Sequence, residues 1–416
     1  MAEPVRILRL AAGGDGVGKL PDGRTVFVPR TAPGDLVELV ALKDHKRFAR
    51  AKAGAVVQHA PERVVPPCPH YVQDRCGGCQ LQHLANDAQL AARRGFVGDA
   101  LRRLAKLDAA DPEIEPAERT LEYRTKVTLA ASADGRRIGL HPYDRPAEVF
   151  DLEWCHITVP ELNRLWRAVR GLRRRLPAEL THVVLRLDRA RRRHLVLRTG
   201  PMERPWTGGR ALATELARLD EPAVVWWQPH EAAPRAVGGA SEAFPATVFE
   251  QVHPAMGDRV RAWAVERLGA ADGRHAWDLY AGIGETSALL AERGATVESV
   301  ESDRRAVEWA EERSPWRRPR VARYAARAED AVRVLRAPAL VVTNPPRTGM
   351  DERVTSALAG SGAARIVYVS CDPATLARDL ARLAGAYRLA EMRAFDLFPQ
   401  TAHVETVAVL ERSSQG

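Results

Sequence analysis

The sequence predicts a multidomain α/β protein with an N-terminal OB-like β-barrel, a central α+β domain and a C-terminal Rossmann-like domain. Three observations predict it. The first 60 residues are short apolar runs separated by glycine-containing turns, the pattern of a small barrel. From about residue 250 onward apolar strands alternate with amphipathic helices, as in a doubly wound sheet. The stretch between mixes strands with a basic helix, and 416 residues are enough to bury two or three cores.

Residues 1–60 contain "VRILRLAAGGDGVGKL", "RTVFVPR", "GDLVELVALKD" and "FARAKAGAVVQ", the expected barrel strands. "APERVVPPCPHY" then breaks the pattern, because proline cannot donate to a strand ladder, and it carries Cys68. Apolar residues recur at helical spacing from Asn86 to Leu107, and this helix is expected to pack on the C-terminal domain. Within the central domain, 61–248, "RTKVTLAAS", "THVVLRLD", "RHLVLRT" and "AVVWWQP" read as strands and residues 160–176 as a basic helix. Residues 249–416 form the C-terminal domain.

No apolar run approaches the roughly 20 residues that a bilayer requires, and the N-terminus lacks the basic, apolar, small-residue order of a leader. The expected compartment is the cytoplasm, with no membrane partner. Five cysteines in so long a chain argue against a disulfide framework and for thiolate chemistry or metal ligation. The formal charge is +9, and residues 161–210 hold fourteen arginines against Glu161, Glu179, Asp188 and Glu203. That local surplus predicts a polyanionic partner. A GC-rich genome, which enriches Arg everywhere, is the bland reading.

"WDLYAGIGETSALLAERGATVESVESD" reads as a strand, a turn at Gly282 and Gly284, a helix, and a second strand ending at Glu301. Glycines let a ligand approach the backbone there, and an acid 23 residues after Asp278 can accept hydrogen bonds from ribose hydroxyls. The D-x-x-x-G-x-G spacing favours S-adenosylmethionine over a dinucleotide, since no pyrophosphate has to be cradled. In "PALVVTNPPRTGM" a strand ends at Asn344, whose side chain is expected to point into the crevice above the strand ends.

"YVSCDPATLARDL" sets Cys371 where a strand gives way to a helix opened by Pro373. Free amides and the helix dipole are expected to stabilise a thiolate there. "FDLFPQTAHVETVAVLE" sets His403 and Glu405 two apart, on one face of a β-rich run. A thiolate and a carboxylate beside a methyl donor suggest one reaction, methylation of a pyrimidine at C5. Sulfur adds to C6, C5 takes the methyl group, and a base then removes the C5 proton.

These motifs, with "FEQV" at Phe249–Val252, "DLYAGIG", "NPPRTG" and "EYRTK" at Glu122–Lys126, resemble the RNA uracil-5-methyltransferases that use S-adenosylmethionine. The resemblance runs from the barrel almost to the last residues. It implies Cys371 as nucleophile, Glu405 as proton acceptor, and Gln251, Tyr280, Glu301 and Asn344 as cofactor contacts. The family commonly has Asp at 344, Asn at 253 and Asn at 285, where this chain has Asn344, His253 and Glu285. Asn344 removes a negative charge that could help hold the cationic donor.

Cys68, Cys76 and Cys79 follow C-x7-C-x2-C, and Cys155 comes far downstream. Four thiolates suffice for one [4Fe–4S] cluster or one zinc. A triplet plus a remote single is unlike the two close pairs usual for zinc, and the resemblance also points to the cluster. The spacing is not C-x3-C-x2-C, so a cluster here is expected to be structural or RNA-positioning rather than a radical generator.

The barrel resembles the TRAM domain, an RNA-binding module. Joined to the four-cysteine site, it is similar to enzymes acting on 23S rRNA, with tRNA the alternative target and a monomer the expected state. The target uridine must be unpaired or flipped, and Phe249, Arg124 and Lys126 are candidates to hold it. Two rival classes are an amino-group N-methyltransferase, suggested by Asn-Pro-Pro, and a catalytically silent RNA-binding protein. The first expects an aromatic residue where Arg347 stands. The second does not explain Cys371 and Glu405.

Overall fold

The computed structural model describes residues 3–239 and 248–413. Residues 240–247, at the expected junction of the central and C-terminal domains, lie outside the described residues, as do the first two and last three. Two packed units account for the rest: residues 3–92, 118–239 and 399–402 in one, and 93–117, 248–398 and 403–413 in the other. No helix among the described residues is long and apolar enough to cross a membrane.

In the first unit, β1 (Val5–Leu10), β2 (Gly16–Lys19), β3 (Thr25–Val28), β4 (Leu36–Asp44) and β5 (Phe48–Gln58) close a barrel in the order β1-β2-β3-β5-β4. Alternating side chains fill it, among them Val5, Ile7, Val26, Val28 and Val37. Gly16 is required, because a β-carbon would stand 1.9 Å from Thr31 Oγ1. The barrel does not pack as a separate body. The Arg30 guanidinium lies 3.7 Å and 4.4 Å from the ring centres of Tyr71 and Tyr143. It also donates to the carbonyls of Tyr71 and Cys76, tying the barrel to the cysteine-bearing segment.

After β6 (Glu113–Glu115), which belongs to the second unit, come β7 (Lys126–Ala131), β8 (Ile138–Leu140), β9 (Phe150–Asp151), β10 (Leu180–Leu187), β11 (Arg193–Thr199), β12 (Val224–Gln228) and β13 (Arg235–Gly238). These seven form a sheet in the order β13-β12-β11-β10-β7-β8-β9. The helix Pro160–Gly171 shares its core through Leu162, Leu165, Trp166 and Val169, one apolar stripe at helical spacing.

At least half of the arginines in 161–210 stand in ion pairs. Arg164 and Arg193 pair with Glu221, Arg170 and Arg173 with Asp151, Arg175 with Glu215, Arg191 with Glu161 and Arg192 with Asp188. Asp151, Glu215 and Glu221 lie outside 161–210, so a count over that window overstates the positive charge.

The second unit is the doubly wound sheet: β14 (His275–Leu279), β15 (Thr296–Glu301), β16 (Val321–Ala325), β17 (Leu340–Thr343), β18 (Arg365–Ser370), β19 (Tyr387–Phe395) and β20 (Glu405–Arg412). With β6 the order is β16-β15-β14-β17-β18-β20-β19-β6. Strands β14 to β18 are parallel and β20 is antiparallel to both neighbours. Strand order reverses at β14 and β17, which opens a crevice beyond their carboxyl ends. The helix expected over 86–107 spans Asn86–Ala100, continues as one wide turn, Leu101–Ala105, and stops at Lys106 with φ 58°. Its Val97 and Leu101 share a core with Trp277, Leu279 and Tyr368.

Candidate active site

Beyond β14 the chain turns through Tyr280 (φ 61°), Gly282 (φ 56°) and Gly284 (φ 79°) into the helix Glu285–Glu292. Tyr280 carries a side chain in a conformation that favours glycine, local strain of the kind held at functional sites. Glu301, ending β15, accepts the Gly282 N–H at 2.9 Å through Oε2. Its Oε1 accepts Ser302 Oγ at 3.1 Å and the Asp303 N–H at 2.8 Å. The glycine turn and Glu301 thus fix each other. Asp278 is buried, accepts Ser287 Oγ–H at 2.5 Å, and is pushed up to about 7 by burial.

A cleft of about 610 Å³, open to solvent, lies above these strand ends. Of the expected cofactor contacts, Gln251, Tyr280, Gly282 and Asn344 line it, while Gly284 and Glu301 instead hold its turn. Phe249, expected on RNA, also lines it and is 62% exposed. Sequence reasoning did not assign Asp278, Gly257 and Arg261 as lining residues, whereas Glu285, noted there as a departure from the family, does line the cleft. Asp278 could have been found as the acid that opens the glycine motif. Gly257 could not, because its role is spatial: a β-carbon there would stand 2.8 Å from Gln251 Cβ. Glu285 brings an acid to a cleft that lacks one at Asn344, although Arg261 pairs with it at 3.0 Å. His253 is buried and precedes Pro254, the first residue of the helix Pro254–Arg267.

Strands β18 and β20 pair Ser370 with Thr406, so the next step along both brings Cys371 to Glu405. Glu405 is 1% exposed, and its Oε2 has no hydrogen-bond partner among the described residues. Burial pushes its carboxyl up to about 8 against the opposing charge of Arg347. Cys371 is half-buried, and its thiol is pushed up to about 11, by burial first and the Glu405 charge second. The expected resting thiolate is therefore corrected to a thiol. The helix amides give the sulfur no relief, because Asp372 Oδ1 accepts the N–H groups of Ala374 at 3.0 Å and Thr375 at 2.9 Å.

Arg347, absent from the expected site, opposes both shifts, and its Nη2 lies 3.5 Å from His403 Nε2. His403 precedes β20, which begins at Glu405, so strand alternation does not extend to it.

Residues 331–413 match the family described as tRNA (Uracil-5-)-methyltransferase, and residues 3–53 match the TRAM domain. The chain is 34% identical to an uncharacterized RNA methyltransferase of Gloeobacter violaceus, over 98% of this chain and 96% of the relative. It is 32% identical to the 23S rRNA (uracil(1939)-C(5))-methyltransferase of Chromohalobacter salexigens, over 99% of this chain and 90% of that one. The chain belongs to the S-adenosylmethionine-dependent RNA (uracil-5-)-methyltransferases. Its fold is similar to that of the Pyrococcus abyssi tRNA (uracil-54, C5)-methyltransferase, crystallised with S-adenosyl-L-homocysteine. The TM-score is 0.73 at 23% identity, covering 98% of this chain and 100% of that chain.

In this methyltransferase the four remaining cysteines come together. Cys68 and Cys79 are buried with Tyr71, Tyr123 and Ile157, Cys155 packs against them, and Cys76 is buried in the adjoining core, which Cys155 also touches. None is in a disulfide. Burial pushes Cys76 up to about 12 and also raises Cys68 and Cys79, and a charge on Cys155 would raise all three further. Yet among the described residues no three such side chains stand close enough to hold one metal ion. Thiolates sharing one zinc lie about 4 Å apart. The four thiols, none in a disulfide, are donors of the type that zinc and iron–sulfur sites use.

The candidate RNA contacts Arg124 and Lys126 enter β7, and Arg124 Nε donates to the Lys126 carbonyl at 2.9 Å. Both belong to the first unit, whereas Phe249 belongs to the second.

Proposed function

We propose that this methyltransferase places a methyl group on C5 of one uridine of 23S rRNA in the cytoplasm, through a covalent adduct between Cys371 and C6 of the base. The observation that carries the reading is Cys371 held beside the buried Glu405, two residues beyond Val369, which lines the cleft. Gln251, Tyr280 and Asn344 would hold S-adenosylmethionine, with Gly282, Gly284 and Glu301 shaping the turn beneath it. Acidic Asp278, Glu250 and Glu285 in the lining suit a cationic donor. When bound, the cofactor supplies the methyl group.

The Cys371 thiol gives up its proton to solvent water as sulfur bonds to C6, and the electron pair displaced from the C5–C6 double bond makes C5 nucleophilic. Once C5 bears the methyl group, Glu405 takes the C5 proton and the electron pair restores the double bond as the C6–S bond breaks. A carboxyl whose proton affinity lies near neutrality is suited to that transfer, and the Arg347 cation favours its ionised form. Arg124, Lys126 and Phe249 would bind the RNA, with the barrel adding backbone contacts. Cys68, Cys76, Cys79 and Cys155 would hold a [4Fe–4S] cluster, which when bound joins the 68–79 loop to the segment at Cys155.

The ribosomal target is favoured by full-length similarity to a 23S rRNA enzyme. The tRNA alternative is favoured by the description of the matched family. Mass spectrometry of 23S rRNA and tRNA from cells with and without the gene separates them. One methyl group missing from a 23S uridine is expected. A loss confined to tRNA moves the target, and no loss in either contradicts the function.

A further inference from the structure

The segment Pro399–Ala402 leads into His403 and Glu405, yet it packs with the unit that holds the barrel and the cysteines. At its centre is Gln400, buried, with φ 69°. Glycine would adopt that conformation without strain, so a glutamine there needs a reason. Its carbonyl accepts the N–H groups of Gln80 at 3.2 Å and Leu81 at 3.0 Å. Its own N–H donates to Gln89 Oε1 at 3.1 Å, and its Oε1 accepts Gln89 Nε2–H at 3.0 Å, a reciprocal amide pair that glycine could not make. Gln89 Nε2 also donates to the Leu84 carbonyl at 2.9 Å. Two residues on, the Ala402 N–H donates to Gln80 Oε1 at 3.2 Å, while Gln80 Nε2 donates to the Gly77 carbonyl at 2.7 Å. Tyr123 OH donates to the Pro399 carbonyl at 3.0 Å. Pro399, Gln400 and Ala402 are thereby each tied through the main chain.

We infer that Gln89 and Gln80 are positioning residues for the proton acceptor: by clamping the strained Gln400 turn they fix where β20 begins, and so where Glu405 stands. The inference rests on the assignment of Glu405 made above. A turn that slipped by one residue would reverse the faces of β20 and carry the carboxylate away from Cys371. Neither glutamine touches substrate or cofactor in this account. Their effect reaches the chemistry along the three peptide bonds from Ala402 to Glu405.

The test is a double-mutant cycle on undermethylated 23S rRNA from cells lacking the gene. Gln89→Ala should lower kcat tenfold or more, leave KM for S-adenosylmethionine within twofold, and accumulate enzyme covalently bound to methylated RNA, as is expected of Glu405→Gln, which cannot take the C5 proton. In the Glu405→Gln background the same change should lower residual turnover less than twofold. Gln89→Glu, which keeps the acceptor for the Gln400 N–H, should fall between and provides the reading if Gln89→Ala folds poorly. Equal losses in both backgrounds, or wild-type kcat for Gln89→Ala beside a stalled Glu405→Gln, overturn the inference. Full turnover by Glu405→Gln alone overturns the proton-acceptor assignment as well.

Discussion

Glu405 has to be ionised to take a proton, and the fold works against that ionisation by burying it. Its carboxyl is pushed up to about 8, so turnover should rise with pH through about 8, and Glu405→Gln should lose that limb of the rate profile. The same burial has an opposite sign for stability. A folded-state value raised above the ordinary one leaves the group costless below the ordinary carboxylate range and destabilising as pH climbs through about 8. Glu405→Gln should therefore unfold like wild type at pH near 4 and be more stable above pH 8, by up to about 5 kcal/mol in chemical denaturation. Cys371 and Glu405 were legible in the sequence because each stands in a short motif. The protonation of the thiol was not, because it depends on burial and on the Glu405 charge brought beside it by strand pairing, while Asp372 takes the helix amides.

At the level of elements, alternation marked the barrel strands and apolar runs marked β17 and β18, but ends and partners escaped. The helix from Asn86 stops short of Leu107 because Lys106 turns left-handed, which no apolar period records. The arginine stretch looked more positive than it is because three of its acidic partners, Asp151, Glu215 and Glu221, lie elsewhere in the chain. Gly257 is a similar case, a glycine whose meaning is the space it leaves Gln251. Gly257→Ala should weaken S-adenosylmethionine binding about tenfold, or about 1.4 kcal/mol, by calorimetry, with the fold intact by circular dichroism.

The cysteine loop carries its own expectation. Anaerobically purified protein should contain about four irons per chain. Cys155→Ser should lower the iron and expose the 68–79 loop to protease, whereas Cys371→Ser should change neither. One zinc and no iron in fully active protein would remove the cluster without touching the methyl-transfer chemistry.

Over the whole molecule, the succession of barrel, mixed sheet and doubly wound sheet was legible from composition and period. How the chain sorts into units was not. Arg30 joins the barrel to the cysteine segment through the Tyr71 ring and to the segment before β9 through Tyr143, and Gln89 meets Gln400 across 311 positions of sequence. Local pattern carries no trace of such contacts. All of these contacts matter to function only if Cys371 bonds to the base, and one measurement addresses that bond directly. RNA carrying 5-fluorouridine at the target should trap wild-type enzyme with S-adenosylmethionine as a denaturation-resistant complex, since fluorine cannot leave C5 as a proton does, and Cys371→Ala should trap none. A Cys371→Ala protein that still methylates uridine, or a wild-type enzyme that turns over without ever being trapped, would contradict the account.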